Sequence, residues 1–182
     1  MSKVLRVAIA AGLTVLAGRL PAQAEVTAEI VEWGITAGHR GPPPETPGPG
    51  ETGLAPARVM RGVTYPERTD TIEARLCRGF GVEVSLTRSD GGGLPPSVEA
   101  RVAHPTFTRP DGATSTEDRF PSAVIGGVSH VGFTFDHEWE MVPGPWSIGV
   151  FVHGAEVARQ NFMVVLPAPG APRSECRPDT TS

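Results

Sequence analysis

Apolar residues recur at every second position over most of this chain, and that period leaves little choice of fold. Phe80, Val82, Val84 and Leu86 alternate with Gly81, Glu83, Ser85 and Thr87. Val98, Ala100 and Val102 alternate with Glu99 and Arg101, and Val131, Phe133 and Phe135 with Gly132 and Thr134. Trp146, Ile148, Val150 and Val152 keep the pattern up to His153-Gly154. Neighbouring side chains of a strand point to opposite faces, so each run predicts a strand with one buried and one wet face. Outside the first 24 residues no stretch holds an apolar period of 3.6. Without helices to carry crossovers, the strands are expected to pair antiparallel, in an all-β sandwich of seven to eight strands.

The punctuation agrees. The chain holds 22 Gly and 19 Pro in 182 residues, and many sit between the alternating runs. Asp90-Gly91-Gly92-Gly93 and Pro143-Gly144 read as turns, and His153-Gly154 as a hairpin turn, because glycine supplies a positive φ. The return strand spans 156–165, with Ala158, Phe162 and Val164 facing inward. Further strands are expected at 58–63 and 69–76. In the first run, Val26, Ala28 and Ile30 are followed by Val31, Trp33 and Ile35 in the opposite phase. That switch predicts a bulge or a strand that changes sheets. The segment 41–53, GPPPETPGPGETG, cannot be a helix or a central strand and is expected as an exposed loop.

The first 24 residues read as a secretory signal peptide. Lys3 and Arg6 precede an apolar run, and Ala22-Gln23-Ala24 offers the small-x-small pattern of a cleavage site. The run is too short to span a bilayer, which takes about 20 residues, so no stable membrane insertion is expected after cleavage. The reading is therefore a signal peptide at 1–24, a sandwich domain at 25–166 and a flexible tail at 167–182, in the periplasm or outside the cell. The exported part carries 13 arginines, no lysine and 20 acids. A net acidic body with scattered arginines argues against nucleic acid as a partner. Cys77 and Cys176 both lie in the exported part, where an oxidising compartment favours a disulfide between them.

No G-x-S-x-G, P-loop, dinucleotide-binding glycine motif or H-E-x-x-H is present, so no catalytic residues and no cofactor are assigned. His104, His130 and His137, with nearby acids, form the alternative for a metal-binding or hydrolytic protein, although their spacing matches no closed zinc site and no metal ligands are assigned. Glu138 and Glu140 would share a face if extended, with Trp139 on the other. Exposed tryptophan would suit carbohydrate binding. The most distinctive string is Trp139-Glu140-Met141-Val142-Pro143-Gly144-Pro145-Trp146. Trp139, Pro143, Gly144 and Trp146 are read from it as a structural aromatic corner: the Pro-Gly turn launches the last hairpin and lets both tryptophans pack at one end of the sandwich.

That string, with Phe133-x-Phe135, Phe162-x-Val164, Val31-Glu32-Trp33-Gly34, Gly79-Phe80-Gly81-Val82, His104-Pro105 and Pro110-Asp111-Gly112, resembles an uncharacterised bacterial all-β family of unknown function. Its members carry a W-E-x-V-P-G-x-W signature. The resemblance spans roughly 25–166 and implies an immunoglobulin-like sandwich; it implies no activity, so no catalytic residues follow from it. The Pro-rich 41–53 segment and the tail with Cys176 are departures from the family pattern. The function expected is a non-catalytic binding or accessory module of the cell envelope, whose partner is an envelope protein or a small ligand.

Overall fold

The structure, a computed structural model, describes residues 25–41, 48, 50–55 and 57–176. Residues 1–24, read above as a signal peptide, together with 42–47, 49, 56 and 177–182, lie outside the described residues. Nine strands are found among the described residues: β1 (Val26–Arg40), β2 (Met60–Glu67), β3 (Thr71–Glu73), β4 (Gly79–Arg88), β5 (Ser97–Thr108), β6 (Thr114–Ala123), β7 (Val128–Thr134), β8 (Gly144–Val152) and β9 (Ala155–Val165). They form a four-stranded sheet in the order β2-β1-β4-β7 and a five-stranded sheet in the order β3-β9-β8-β5-β6.

The alternating residues face each other between the sheets. Phe80, Val82 and Val84 of β4, Val98, Ala100 and Val102 of β5, and Trp146, Ile148 and Val150 of β8 are all buried there. The phase switch in β1 is a bulge. Its register against β4 slips between Ile30 and Glu32, so Val31 is the extra residue and Ile30 and Trp33 both pack on the core. The last hairpin turns on His153 and Gly154, whose φ values of 50° and 83° are both positive, as a tight two-residue turn requires.

Two expectations need correction. The strand count exceeds seven to eight because of β6, whose sequence TSTEDRFPSA places Asp118, rather than an apolar residue, at its buried position. An inward charge on an edge strand is a known device against edge-to-edge pairing, and it hides the strand from an apolar alternation count. The pairing is also not wholly antiparallel: β3 runs parallel to β9, from Thr71 opposite Met163 to Glu73 opposite Val165. β3 enters from β2 of the other sheet, so no hairpin dictates its direction. On the far side, β6 and β7 are stitched across the sandwich. Ser122 Oγ donates to the His130 carbonyl at 2.9 Å, and Ser129 Oγ donates to Ser122 Oγ at 3.0 Å.

The starts of β4 and β8 and the ends of β1, β7 and β9 meet at one end of the sandwich. The β1–β2 connection, the β3–β4 connection, the β7–β8 segment and the tail all gather there.

Candidate functional site

Trp146 centres this end. It is 2% exposed, and its ring lies 5.1–5.6 Å from those of Phe80, Phe107, Phe133, Phe135 and His104. The turn before it is built as its residues require. Gly144 has a φ of 135°, and a Cβ there would meet Pro105 Cγ at 3.0 Å. Pro145 has no N–H to close the turn onto the Val142 carbonyl, and the Trp146 indole N–H donates to that carbonyl instead, at 3.1 Å. Trp139 reaches the same cluster through Phe107, edge to face at 5.6 Å, and stacks on His137 at 5.2 Å.

Glu138 and Glu140 do not share an extended face. Residues Glu138–Glu140 form a short 3-10 helix, which leaves Glu138 exposed and Glu140 buried. Glu140 Oε2 accepts the backbone N–H groups of Asp136 (2.6 Å) and His137 (2.8 Å). Burial pushes its carboxyl up to about 7; the two N–H donors lower it, and the neighbouring charges of Asp136 and Asp118 raise it further.

Beside it lies a buried pair. The ring of His104 stacks on Phe107 at 3.6 Å; its Nδ1–H donates to the Pro105 carbonyl (2.8 Å), and its Nε2 faces Asp118 Oδ2 at 3.3 Å. The other oxygen of Asp118 accepts from the backbone N–H groups of Leu54 (2.8 Å) and Ala55 (3.3 Å). A Cβ on Gly53 would fall 1.8 Å from that oxygen, so only glycine lets the segment come so close. Thr52 and Arg119 exchange two backbone hydrogen bonds at 2.9 Å, fastening the segment to the edge of β6. Further along, Asp136 grips both ends of the β1–β2 connection: Arg40 and Arg58 each lie 2.7 Å from one of its oxygens.

The tail is held on the same end. Cys77 and Cys176 form a disulfide that joins residues 99 apart. Leu76 N–H donates to the Arg173 carbonyl (2.9 Å) and Glu175 N–H to the Leu76 carbonyl (2.8 Å). Glu175 also pairs with Arg78 and Arg75. The tail thus has backbone and ionic ties up to Cys176 in addition to the disulfide.

The three histidines of the metal alternative are not brought together. His104 is buried between Phe107 and Trp146. His137 stacks on Trp139. His130 lies on the outer face of the four-stranded sheet, where it meets Tyr65 and Glu83. Among the described residues no three His, Cys, Asp or Glu converge on a point that could hold a metal ion. The carbohydrate alternative needs an exposed tryptophan, and none of the three is exposed: Trp146 is buried, Trp139 is half-buried, and half-buried Trp33 carries the Arg68 guanidinium 3.6 Å above its ring. Sequence reading missed Asp118 and Glu140 as buried groups. One signal was available: His104 is in phase with Val98, Ala100 and Val102, so it points inward and calls for a polar partner.

Two facing sheets packed around an aromatic centre define the class as an immunoglobulin-like β-sandwich. An immunoglobulin-like protein from Pseudomonas aeruginosa has a similar fold, with a TM-score of 0.55 and 19% identity over 79% of this chain and 99% of that one. The chain belongs to the family "Domain of unknown function (DUF3859)", whose model matches residues 25–164. None of the curated proteins matches it.

Proposed function

We propose that the protein is an exported, non-catalytic binding or accessory module of the cell envelope, acting in the periplasm or outside the cell. The observation that carries the reading is the Cys77–Cys176 disulfide, a bond that persists in oxidising compartments and is rare in the cytosol. It stands together with the signal-like pattern of residues 1–24. The non-catalytic part is supported by how the buried polar groups are used. Asp118 holds Leu54 and Ala55, Glu140 holds the turn at 136–137, and Asp136 holds Arg40 and Arg58. Each makes these bonds within the chain itself. Binding then falls to the loops that gather at the two ends of the sandwich, where a rigid scaffold displays variable segments. The partner is an envelope protein or a small ligand.

The test is fractionation of cells that express the full chain, with thiol labelling and intact mass measurement. A mature protein that begins at Glu25, has no free thiol and is recovered outside the cytoplasm is the expected result. Full-length protein with two free thiols in the cytoplasm would overturn the reading.

A further inference from the structure

We propose that residues 75–78 form a docking site for an extended peptide that carries an acidic side chain, and that the chain's own segment 173–176 occupies it as a tethered ligand. The inference rests on the binding reading above, and names its site and the class of its partner. The contacts of the segment are those of a peptide added to an exposed backbone. Leu76 N–H donates to the Arg173 carbonyl (2.9 Å) and Glu175 N–H donates to the Leu76 carbonyl (2.8 Å), so Leu76 and Ser174 form a parallel bridge. Both bonds use main-chain groups that any extended peptide offers.

Selectivity falls to the side chains. Arg78 holds the Glu175 carboxylate with two donors: Nε lies 3.1 Å from Oε2, and Nη2 donates to Oε1. Arg75 Nη1 stands 3.5 Å from the same Oε1. Such a planar fork matches a carboxylate in both spacing and plane. Both arginine side chains are only 17% exposed, and Arg75 Nε is buried without a partner. Among the described residues, the other carboxylate paired with these arginines is that of Glu73. Two guanidiniums against one carboxylate leave a positive charge, which an incoming acid neutralises.

The occupant is separable from its site. Arg173, Ser174, Glu175 and Cys176 are exposed and add no side chain to the core. The family match ends at residue 164, so the site lies inside the shared domain and the segment that fills it lies beyond. The Cys77–Cys176 disulfide ties that segment to the site itself. While the bond is closed, the site is shut to a second peptide.

The test uses the purified full chain, so it can fail while the export reading stands, and the reverse. Glu175→Pro removes both the donor N–H and the carboxylate, and Cys77→Ser/Cys176→Ser removes the tie. The probe is a fluorescent peptide copying residues 171–177 with Cys176→Ser, read by anisotropy. Saturable binding to the triple variant, and none to the oxidised wild type, is the expected result. Binding should weaken by about tenfold with Glu175→Gln in the peptide, and by a similar factor when Arg78→Gln is added to the chain. Absence of saturable binding overturns the proposal. So does equal affinity for the Glu and Gln peptides, or equal binding to the oxidised wild type. If the triple variant does not fold, Glu175→Ala with the disulfide kept decides. Succinate should then shift the Arg78 Nε–H resonance saturably in that variant and leave it unmoved in the wild type; no saturable shift overturns the proposal.

Discussion

Removing the Asp118 carboxylate tests the polar half of this end. In Asp118→Ala the N–H groups of Leu54 and Ala55 lose their acceptor, and His104 Nε2 loses the carboxylate oxygen 3.3 Å from it. Hydrogen bonds to a charged group contribute about 1.5–3 kcal/mol each. The 3.3 Å bond is the weaker of the two, and water can reach the freed amides once the segment lifts. Across the pair, His104 Nε2 and Asp118 Oδ2 face each other at 3.3 Å without a hydrogen bond, and stranding a buried polar group costs about 1–3 kcal/mol. These costs overlap, so a total of about 3–5 kcal/mol is expected. His104→Phe keeps the stack on Phe107 and strands Asp118 instead, at a cost of about 1–3 kcal/mol. The two sites touch, so the double variant should cost less than the sum of the singles by about 1–3 kcal/mol. Urea unfolding followed by circular dichroism at a fixed pH measures all four corners. Additivity within about 0.5 kcal/mol, or a loss below about 1 kcal/mol for Asp118→Ala, would refute the reasoning that this pair holds the segment.

Three further outcomes are expected. Trp146→Ala should cost about 3–5 kcal/mol, because it empties the centre of the aromatic cluster. Trp146→Phe, which loses mainly the bond to Val142, should cost clearly less in the same denaturation assay. Reduction of the disulfide, or the Cys77→Ser/Cys176→Ser pair, should destabilise the fold by up to about 4–5 kcal/mol, given the long loop that it closes. A melting temperature insensitive to reductant would contradict that. Glu140 also gives stability a pH dependence. Its carboxyl is raised in the folded state, so its contribution is fully present below the ordinary glutamate range and is lost as pH rises through about 7. The loss is at most about 3 kcal/mol, and Glu140→Gln should flatten the profile between pH 5 and pH 8 in chemical denaturation. Glu156 and Glu175, whose carboxyls are lowered by Arg159 and Arg78, act with the opposite sign at acid pH. Their contribution is lost as pH falls.

What the chain determines by itself is the part written in short-range order. Period-two alternation in β4, β5, β7 and β8 sets which side chains face the core, because strand geometry assigns faces residue by residue. The His153-Gly154 turn and the all-β sandwich were legible for the same local reason, the β1 phase switch was legible as a bulge or a change of sheet, and the immunoglobulin-like character came from the family resemblance. Two cysteines in an otherwise cysteine-free chain left a single intramolecular pairing. Tertiary structure alone decided the rest. β6 became a strand although its buried position holds Asp118, because pairing with β5 satisfies its backbone and His104 faces its charge. The 138–140 stretch coiled into a 3-10 helix, which turned Glu140 inward onto two backbone N–H groups instead of leaving it beside Glu138. The β1–β2 connection acquired three fastenings, on Arg119, Asp118 and Asp136, from partners about 60 to 80 residues away. No local pattern encodes a partner so distant. The energy of a buried carboxylate depends on which donors and charges the fold brings within a few ångströms of it.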